Sequence, residues 1–316
     1  MGMLVRGEWT EDDSSLNGKD GAFIRARSSF RHRVGEPDFP AEAGRYHLFT
    51  GGSCPWAHRT VIGREVKKLT GIITWTQADL PRIQGWSFSQ GIDELQPTDG
   101  RLDLHELYTA AEADFTGRVT VPVLWDRKAK RIVNNESSEI LRIFNDAFDA
   151  IAEPSIDLYP TDRREEIDAV NDFVYEHINN GVYRCGFAQS QAPYEEAFAS
   201  LFEALDEIER RLGKSRFLVG NTLTEADIRL FTTLVRFDVA YYVLFKCNLR
   251  RIADYPNMSN YLRDLYQTPG FGSTVDMKLI KRGYYLEAGK RINPFGIIPV
   301  GPELNFDEPH DRAHLG

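Results

Sequence analysis

Arg45-Tyr46-His47-Leu48-Phe49-Thr50-Gly51-Gly52-Ser53-Cys54-Pro55-Trp56-Ala57-His58-Arg59 is the stretch on which the fold reading turns. Its first five residues read as a short strand, and Thr50 to Ser53 are turn formers. Cys54-Pro55 then opens a helical stretch running to Lys68, since proline suits the first turn of a helix. A cysteine at that junction lies against the unpaired N–H groups and positive dipole end of a helix, which favour its thiolate. The fourth residue of Cys54-Pro55-Trp56-Ala57 is not a second cysteine, so a disulfide with a near neighbour is unavailable. A disulfide intermediate must then form with a small thiol and be resolved by another from solution. The competing reading, a buried structural cysteine, is the usual one for a lone cysteine.

Outward from this stretch, Ile72 to Thr76 is a second strand candidate, followed by a polar loop with Pro81, Gly85, Gly91 and Pro97. A helix near Leu102 to Glu112 precedes the strand run Val119 to Trp125, which Pro122 interrupts. Arg131 to Val133 is a further strand and Glu136 to Phe148 a further helix. That order predicts a mixed α/β domain over residues 41–150, after a polar, Gly/Arg-rich and irregular extension at 1–40. Pro154 and Pro160 mark a linker at 151–163. Beyond it strand signals vanish, and residues 164–288 read as an all-α domain. Phe198, Leu201, Phe202, Leu205, Ile208 and Leu212 recur at helical intervals. Thr224 to Phe245 reads as a second, more apolar helix, with Thr224-Glu225-Ala226-Asp227 in the capping pattern. Residues 289–316, rich in Pro and Gly, read as a tail on the surface.

Composition narrows the functional class. With 316 residues, two domains are expected. The net charge of −9, from 38 basic and 47 acidic residues, argues against a nucleic-acid partner. No stretch approaches the roughly 18 apolar residues of a membrane span, and Met1 to Ser14 lacks a signal-peptide pattern. A cytoplasmic location follows as the expectation. Three cysteines (Cys54, Cys185, Cys247) do not make a disulfide framework. The seven histidines show no metal-ligand spacing, so no metal is expected. Cys185 and Cys247 lack the setting of Cys54 and read as packing residues.

Two further signals accompany Cys54. Pro122 stands inside an apparent central strand, which requires either a cis Val121-Pro122 bond or an edge position. The first would leave the Val121 backbone free for an extended ligand. Asn135-Glu136-Ser137-Ser138 opens a helix after a strand, so its N–H groups and hydroxyls could hold a carboxylate or serve only as ordinary caps.

Taken together, these signals resemble the thioredoxin-like glutathione-binding domain and following helical domain of a glutathione transferase. Cys54-Pro55-Trp56-Ala57-His58-Arg59 resembles the catalytic motif of the Xi class, the glutathionyl-hydroquinone reductases. So do Gly117 to Asp126, Val133 to Ile140, Asn180-Gly181-Val182-Tyr183, Thr224 to Phe231, Phe245-Lys246-Cys247-Asn248 and Ile292-Asn293-Pro294. Phe30-Arg31 and Val300-Gly301-Pro302 extend the likeness to both ends.

The resemblance implies glutathione as co-substrate and catalysis by Cys54, Tyr183 and Tyr284. Cys54 would take the glutathione sulfur of an S-glutathionyl-hydroquinone, while the two tyrosines face the ring and its oxygens. Trp86 would cover the glutathione, Arg118 pair with a carboxylate, Val121 bond the cysteinyl backbone, and Glu136 with Ser137 hold the γ-glutamyl end. A homodimer is implied by the same likeness. Of the adjacent Tyr284 and Tyr285, at most one is expected to face the site. Three departures from the class pattern stand out: the glycine-rich Gly51-Gly52-Ser53, expected to loosen the turn; Gly283 in place of a histidine; and a divergent loop from Ala78 to Gly100. The alternatives are an Omega-like monothiol thioltransferase or dehydroascorbate reductase, and a non-catalytic ligand-binding protein on the same fold.

Overall fold

The computed structural model describes residues 2–11, 20–23, 28–92, 95 and 100–316. Parts of the N-terminal extension (12–19 and 24–27) and Pro97 of the long loop lie outside the described residues. The chain divides into two compact units: Met1–Ser15 with Arg25–Ile156, and Leu16–Ile24 with Asp157–Gly316.

In the first unit the elements run β1 (Met3–Val5), β2 (Glu8–Thr10), β3 (Tyr46–Thr50), α1 (Pro55–Val66), β4 (Thr74–Gln77), β5 (Ser87–Phe88) and β6 (Leu102–Asp103). Then follow α2 (Leu104–Ala111), β7 (Gly117–Arg118), β8 (Val123–Asp126), β9 (Arg131–Asn134) and α3 (Ser137–Asp146). The central sheet has the order β4-β3-β8-β9, with β3 parallel to β4 and antiparallel to β8. All five residues of β3 are buried, as a strand covered on both faces requires. This is the α/β arrangement expected, with α1 crossing between parallel β3 and β4.

One expectation is corrected here. The extension read as irregular contains β1 and β2, which form a separate sheet with β7 in the order β2-β1-β7. Its Trp9 stacks on His105, with ring centroids 5.0 Å apart. Trp9 also lies against Gly85, where an added Cβ would come within 2.8 Å of the indole. Three-residue strands carry too little alternation to show in sequence; β1 exists because it pairs with both β7 and β2.

The second unit is all-α: α4 (Arg164–Phe173), α5 (Gly181–Phe187), α6 (Gln191–Leu212), α7 (Glu225–Arg236), α8 (Tyr242–Leu244), α9 (Pro256–Gln267) and α10 (Met277–Arg282). The apolar row of α6 is buried at Leu201, Phe202, Leu205, Ile208 and Leu212. Thr224 and Asp227 form the capping box of α7, and Asp227 also accepts from Leu218 N–H at 2.9 Å and from the Tyr261 hydroxyl at 2.7 Å. The helix predicted over Thr224 to Phe245 is not uniform: a π turn, Phe237–Tyr241, separates α7 from α8. Further π turns cover Val174–Asn179 and Gly283–Ala288. The tail is exposed at Phe295, Ile297 and Val300, yet it is anchored near residue 312 by a buried side chain. Arg312 donates to the carbonyls of Leu212 (3.0 Å), Ser215 and Arg216 (2.8 Å). Among the described residues no helix is long and apolar enough to cross a membrane.

Candidate active site

Cys54 is the N-cap of α1, with extended backbone (φ −77°, ψ 119°) and Pro55 behind it at the first helical position. The turn delivering it is closed by the Cys54 N–H donating to Gly51 O at 2.8 Å. Its Sγ accepts from the Ala57 N–H at 3.5 Å, so the sulfur takes the place of the usual capping oxygen. The thiol also points at Val121 O, 3.9 Å away. The side chain is half-buried against a cluster containing Phe49, Ala57, Trp86 and Val121, which brings three of the sequence-named residues together. The sulfur is thus set by backbone contacts, to the Ala57 N–H and toward the Val121 carbonyl.

The Val121-Pro122 peptide is cis, which resolves the two readings left open by the sequence. Among the described residues, the Val121 N–H makes no hydrogen bond. The neighbouring Thr120 is fixed by a residue the sequence reading missed. The Tyr108 hydroxyl donates to Thr120 O at 2.8 Å and accepts from Thr120 N–H at 3.2 Å. Asn135 Nδ2 donates to the same hydroxyl at 3.0 Å, and Asn135 Oδ1 accepts from Phe30 N–H at 3.1 Å. Full burial pushes the Tyr108 phenol above its ordinary range, so it stays neutral and serves as both donor and acceptor. This network ties the segment carrying Val121 to the end of β9. No short-range pattern announces it.

Glu136 is the N-cap of α3 and fills that role with its own carboxylate. The carboxylate accepts from Ser138 N–H (3.2 Å), Ser138 Oγ (3.0 Å) and Ser28 Oγ (2.9 Å). Capping, one of the two readings of Asn135 to Ser138, is thus present. Ser137 is buried at the first helical position. Arg118 lies in β7, paired across the strands with Met3.

Trp86 is buried, and its carbonyl accepts from Leu104 N–H at 2.8 Å. Its indole lies so close over Gly51 that a Cβ there would be 2.2 Å from Cζ3. This contact gives the first glycine of the lead-in a packing reason that the sequence reading did not supply. Gly51 is a glycine because the indole occupies the space a side chain would need.

In the second unit, Tyr183 on α5 and Tyr284 in the π turn Gly283–Ala288 bring their hydroxyls within 2.7 Å of each other. Tyr241, which the sequence reading did not single out, closes the π turn Phe237–Tyr241 and places its hydroxyl 2.7 Å from that of Tyr284. Its signal was available in the aromatic spacing Phe237, Tyr241, Phe245, but that spacing equally describes helix packing. Burial pushes the Tyr241 and Tyr284 phenols well above the ordinary range. The buried Arg236 opposes the shift without reversing it. Both phenols therefore keep their protons at neutral pH. Phe245 packs edge-on to Tyr183 at 5.5 Å, and Phe23 from the N-terminal segment stacks on it at 6.3 Å. Tyr285 turns away, donating to Val239 O at 3.0 Å, and its phenol is pushed up to about 12 by burial. Only one of the adjacent pair enters the phenol cluster, as expected for neighbours on a helix. Cys185 and Cys247 are buried; burial and the nearby Cys185 hold the Cys247 thiol well above its usual range.

Among the described residues no three His, Cys, Asp or Glu converge as a metal site would need. The first unit thus offers a helix-capping thiol beside an unpaired backbone N–H, which suits thiol exchange with an extended peptide-like ligand. The second offers neutral phenols joined hydroxyl to hydroxyl, which suits stabilising an oxygen on an aromatic ring.

Comparison with known proteins bears on both. Residues 53–147 match the glutathione S-transferase N-terminal domain family and residues 191–264 the corresponding C-terminal domain family. Glutathionyl-hydroquinone reductase PcpF of Sphingobium chlorophenolicum is 47% identical over 96% of this chain and 96% of its own. Glutathionyl-hydroquinone reductase YqjG of Escherichia coli K12 is 45% identical over 99% of this chain and 98% of its own. Among solved structures, a Xi class glutathione transferase from Natrialba magadii superposes with a TM-score of 0.91 at 45% identity, covering 100% of this chain and 97% of that one. The glutathione-bound structure of YqjG gives 0.85 at 44% identity, covering 99% of each chain.

Proposed function

Since the chain belongs to the glutathionyl-hydroquinone reductases, the Xi class of the glutathione transferases, we propose that it removes glutathione from S-glutathionyl-hydroquinones in two thiol steps. First, the Cys54 thiolate attacks the sulfur of the conjugate. A sulfur–sulfur bond forms, the ring carbon–sulfur bond breaks, and its electron pair stays on the ring carbon, which takes up a proton to give the hydroquinone. Next, the thiolate of a free glutathione attacks the glutathione sulfur of the mixed disulfide. Glutathione disulfide leaves and the Cys54 thiolate is restored. The ring gains the two electrons that the two glutathione sulfurs lose.

The observation that carries this reading is Cys54 as helix N-cap, its Sγ facing the Ala57 N–H with no cysteine at position 57. A helix N-terminus stabilises negative charge at such a sulfur. A mixed disulfide there has no neighbouring thiol within its own motif and waits for one from solution. The free Val121 N–H supports a backbone bond to the cysteinyl part of glutathione. Trp86 is assigned to cover the ligand, Arg118 to pair with a carboxylate, and Glu136 with Ser137 to hold the γ-glutamyl end.

Tyr183 and Tyr284 are assigned to the ring. When the carbon–sulfur bond breaks, charge spreads to the ring oxygen, and a neutral phenol can donate to it and relay a proton. Tyr241 backs Tyr284 in that role, because a hydroxyl that receives a hydrogen bond donates a stronger one. Location in the cytoplasm and assembly as a homodimer are part of the same proposal.

Mass spectrometry of the protein after exposure to a glutathionyl-hydroquinone tests the reading. The expected result is a glutathione-sized adduct on Cys54 that free glutathione removes, absent from Cys54→Ser. Full turnover by Cys54→Ser would sink it. An Omega-like thioltransferase predicts instead that Tyr183→Phe with Tyr284→Phe depresses disulfide exchange and hydroquinone turnover alike.

A further inference from the structure

Arg82 lies in the loop between β4 and β5, the stretch that departs from the class pattern, and two of its contacts reach the residues around Cys54. Its guanidinium carbon sits 3.4 Å from the centroid of the Trp86 ring. Its Nη2 donates to Ser53 Oγ at 3.1 Å. Ser53 is buried and immediately precedes Cys54. The same indole rests on Gly51, whose carbonyl accepts the Cys54 N–H. Contacts therefore run from Gly51 to Trp86, to Arg82, to Ser53, closing on the turn that presents the nucleophile.

Built on the reductase reading above, we infer that Arg82 is a positioning residue of this reaction. It clamps Trp86 down on Gly51 and holds Ser53, so that the indole and the Cys54 turn form one preset surface for glutathione. The chemistry suits arginine specifically. Its planar guanidinium can stack on an indole while its fork donates sideways, whereas a lysine ammonium is a point charge that cannot do both. Ordering the indole and the turn before the ligand arrives removes part of the cost of binding. Two departures from the class pattern thereby become one device: the small residue at 51 makes room for the indole, and the divergent loop supplies the cation that holds it.

The test compares Arg82→Ala and Arg82→Lys with the unaltered protein, each also in a Trp86→Phe background. Arg82→Ala should raise KM for a glutathionyl-hydroquinone about tenfold while kcat stays within about twofold, the pattern of lost ground-state positioning. Arg82→Lys should recover little of that loss. In the Trp86→Phe background Arg82→Ala should cost markedly less, because the stacking partner is already altered. A second readout needs no hydroquinone: the rate at which glutathione disulfide thiolates Cys54, followed by mass, should fall in Arg82→Ala. Unchanged KM and thiolation rate, full rescue by lysine, or an equal effect in both backgrounds would each overturn the clamp. An unaltered protein that leaves glutathionyl-hydroquinones untouched, while Arg82→Ala still slows thiolation, would sink the reductase reading and leave the clamp standing.

Discussion

The two units hold their candidate chemistry in different ways. In the first, the key atoms are presented by the backbone: Cys54 Sγ at a helix cap, the Val121 N–H and carbonyl beside it, and Gly51 supplying room for Trp86. In the second, the key atoms are side-chain hydroxyls, and irregular helix aims them. Tyr241 and Tyr284 each sit in a π turn, and Tyr183 comes a few residues after the π turn Val174–Asn179. A π turn inserts one residue into the helix and rotates every side chain beyond it, a device that recurs at functional sites. The lesson is that a helix-capping thiol can be set by a local motif, whereas converging phenols need three separate distortions to agree.

The contrast predicts separable damage. Tyr284→Phe removes the hydroxyl bonded to both Tyr183 and Tyr241, and should cut hydroquinone turnover by about a hundredfold, the scale of one lost donor at a developing oxyanion. Thiolation of Cys54 by glutathione disulfide should stay near its original rate. Equal losses in both assays would break the division of labour. Gly51→Ala probes the other unit: the 2.2 Å approach to Trp86 forces the indole to move, at about 2 kcal/mol of stability by urea titration, the usual scale of overpacking. It should also weaken glutathione binding, and wild-type values for both would show that the turn adapts.

Alkali should weaken the fold through its buried phenols, those of the second unit among them. The Tyr241 and Tyr284 phenols are raised from 10.0 by burial, and so is the Tyr261 phenol. A raised folded-state value means the stability is fully present below pH 10 and is lost as pH rises beyond it, because the unfolded chain releases those protons first. Loss on the order of 1 kcal/mol per phenol per pH unit is expected above pH 10. Denaturation midpoints that stay flat between pH 9 and pH 11 would contradict the burial of these hydroxyls. The smallest effect is reserved for a pure cap. Thr224→Ala removes one half of the α7 capping box and should cost about 1 kcal/mol while leaving both activities unaltered.

Much of the scaffold was legible because its signals are local. The short strand run Tyr46–Thr50 before turn formers, proline at the start of α1, the apolar row of α6 and the Thr224–Asp227 box each act within a few residues, so sequence alone places a thiol at a strand–helix junction. The resemblance carried by those motifs extended the reading to the family. What the sequence could not decide depends on residues that meet only after folding. Tyr241 and Tyr284 are 43 positions apart and Tyr183 and Tyr284 are 101 apart. Trp86 on Gly51, Tyr108 under Thr120, and β1 pairing with β7 are likewise absent from any local window. Helical propensity is the same whether a segment runs α or π and whichever way an aromatic points. Packing against distant neighbours chooses between these alternatives, and that energy exists only in the assembled tertiary structure.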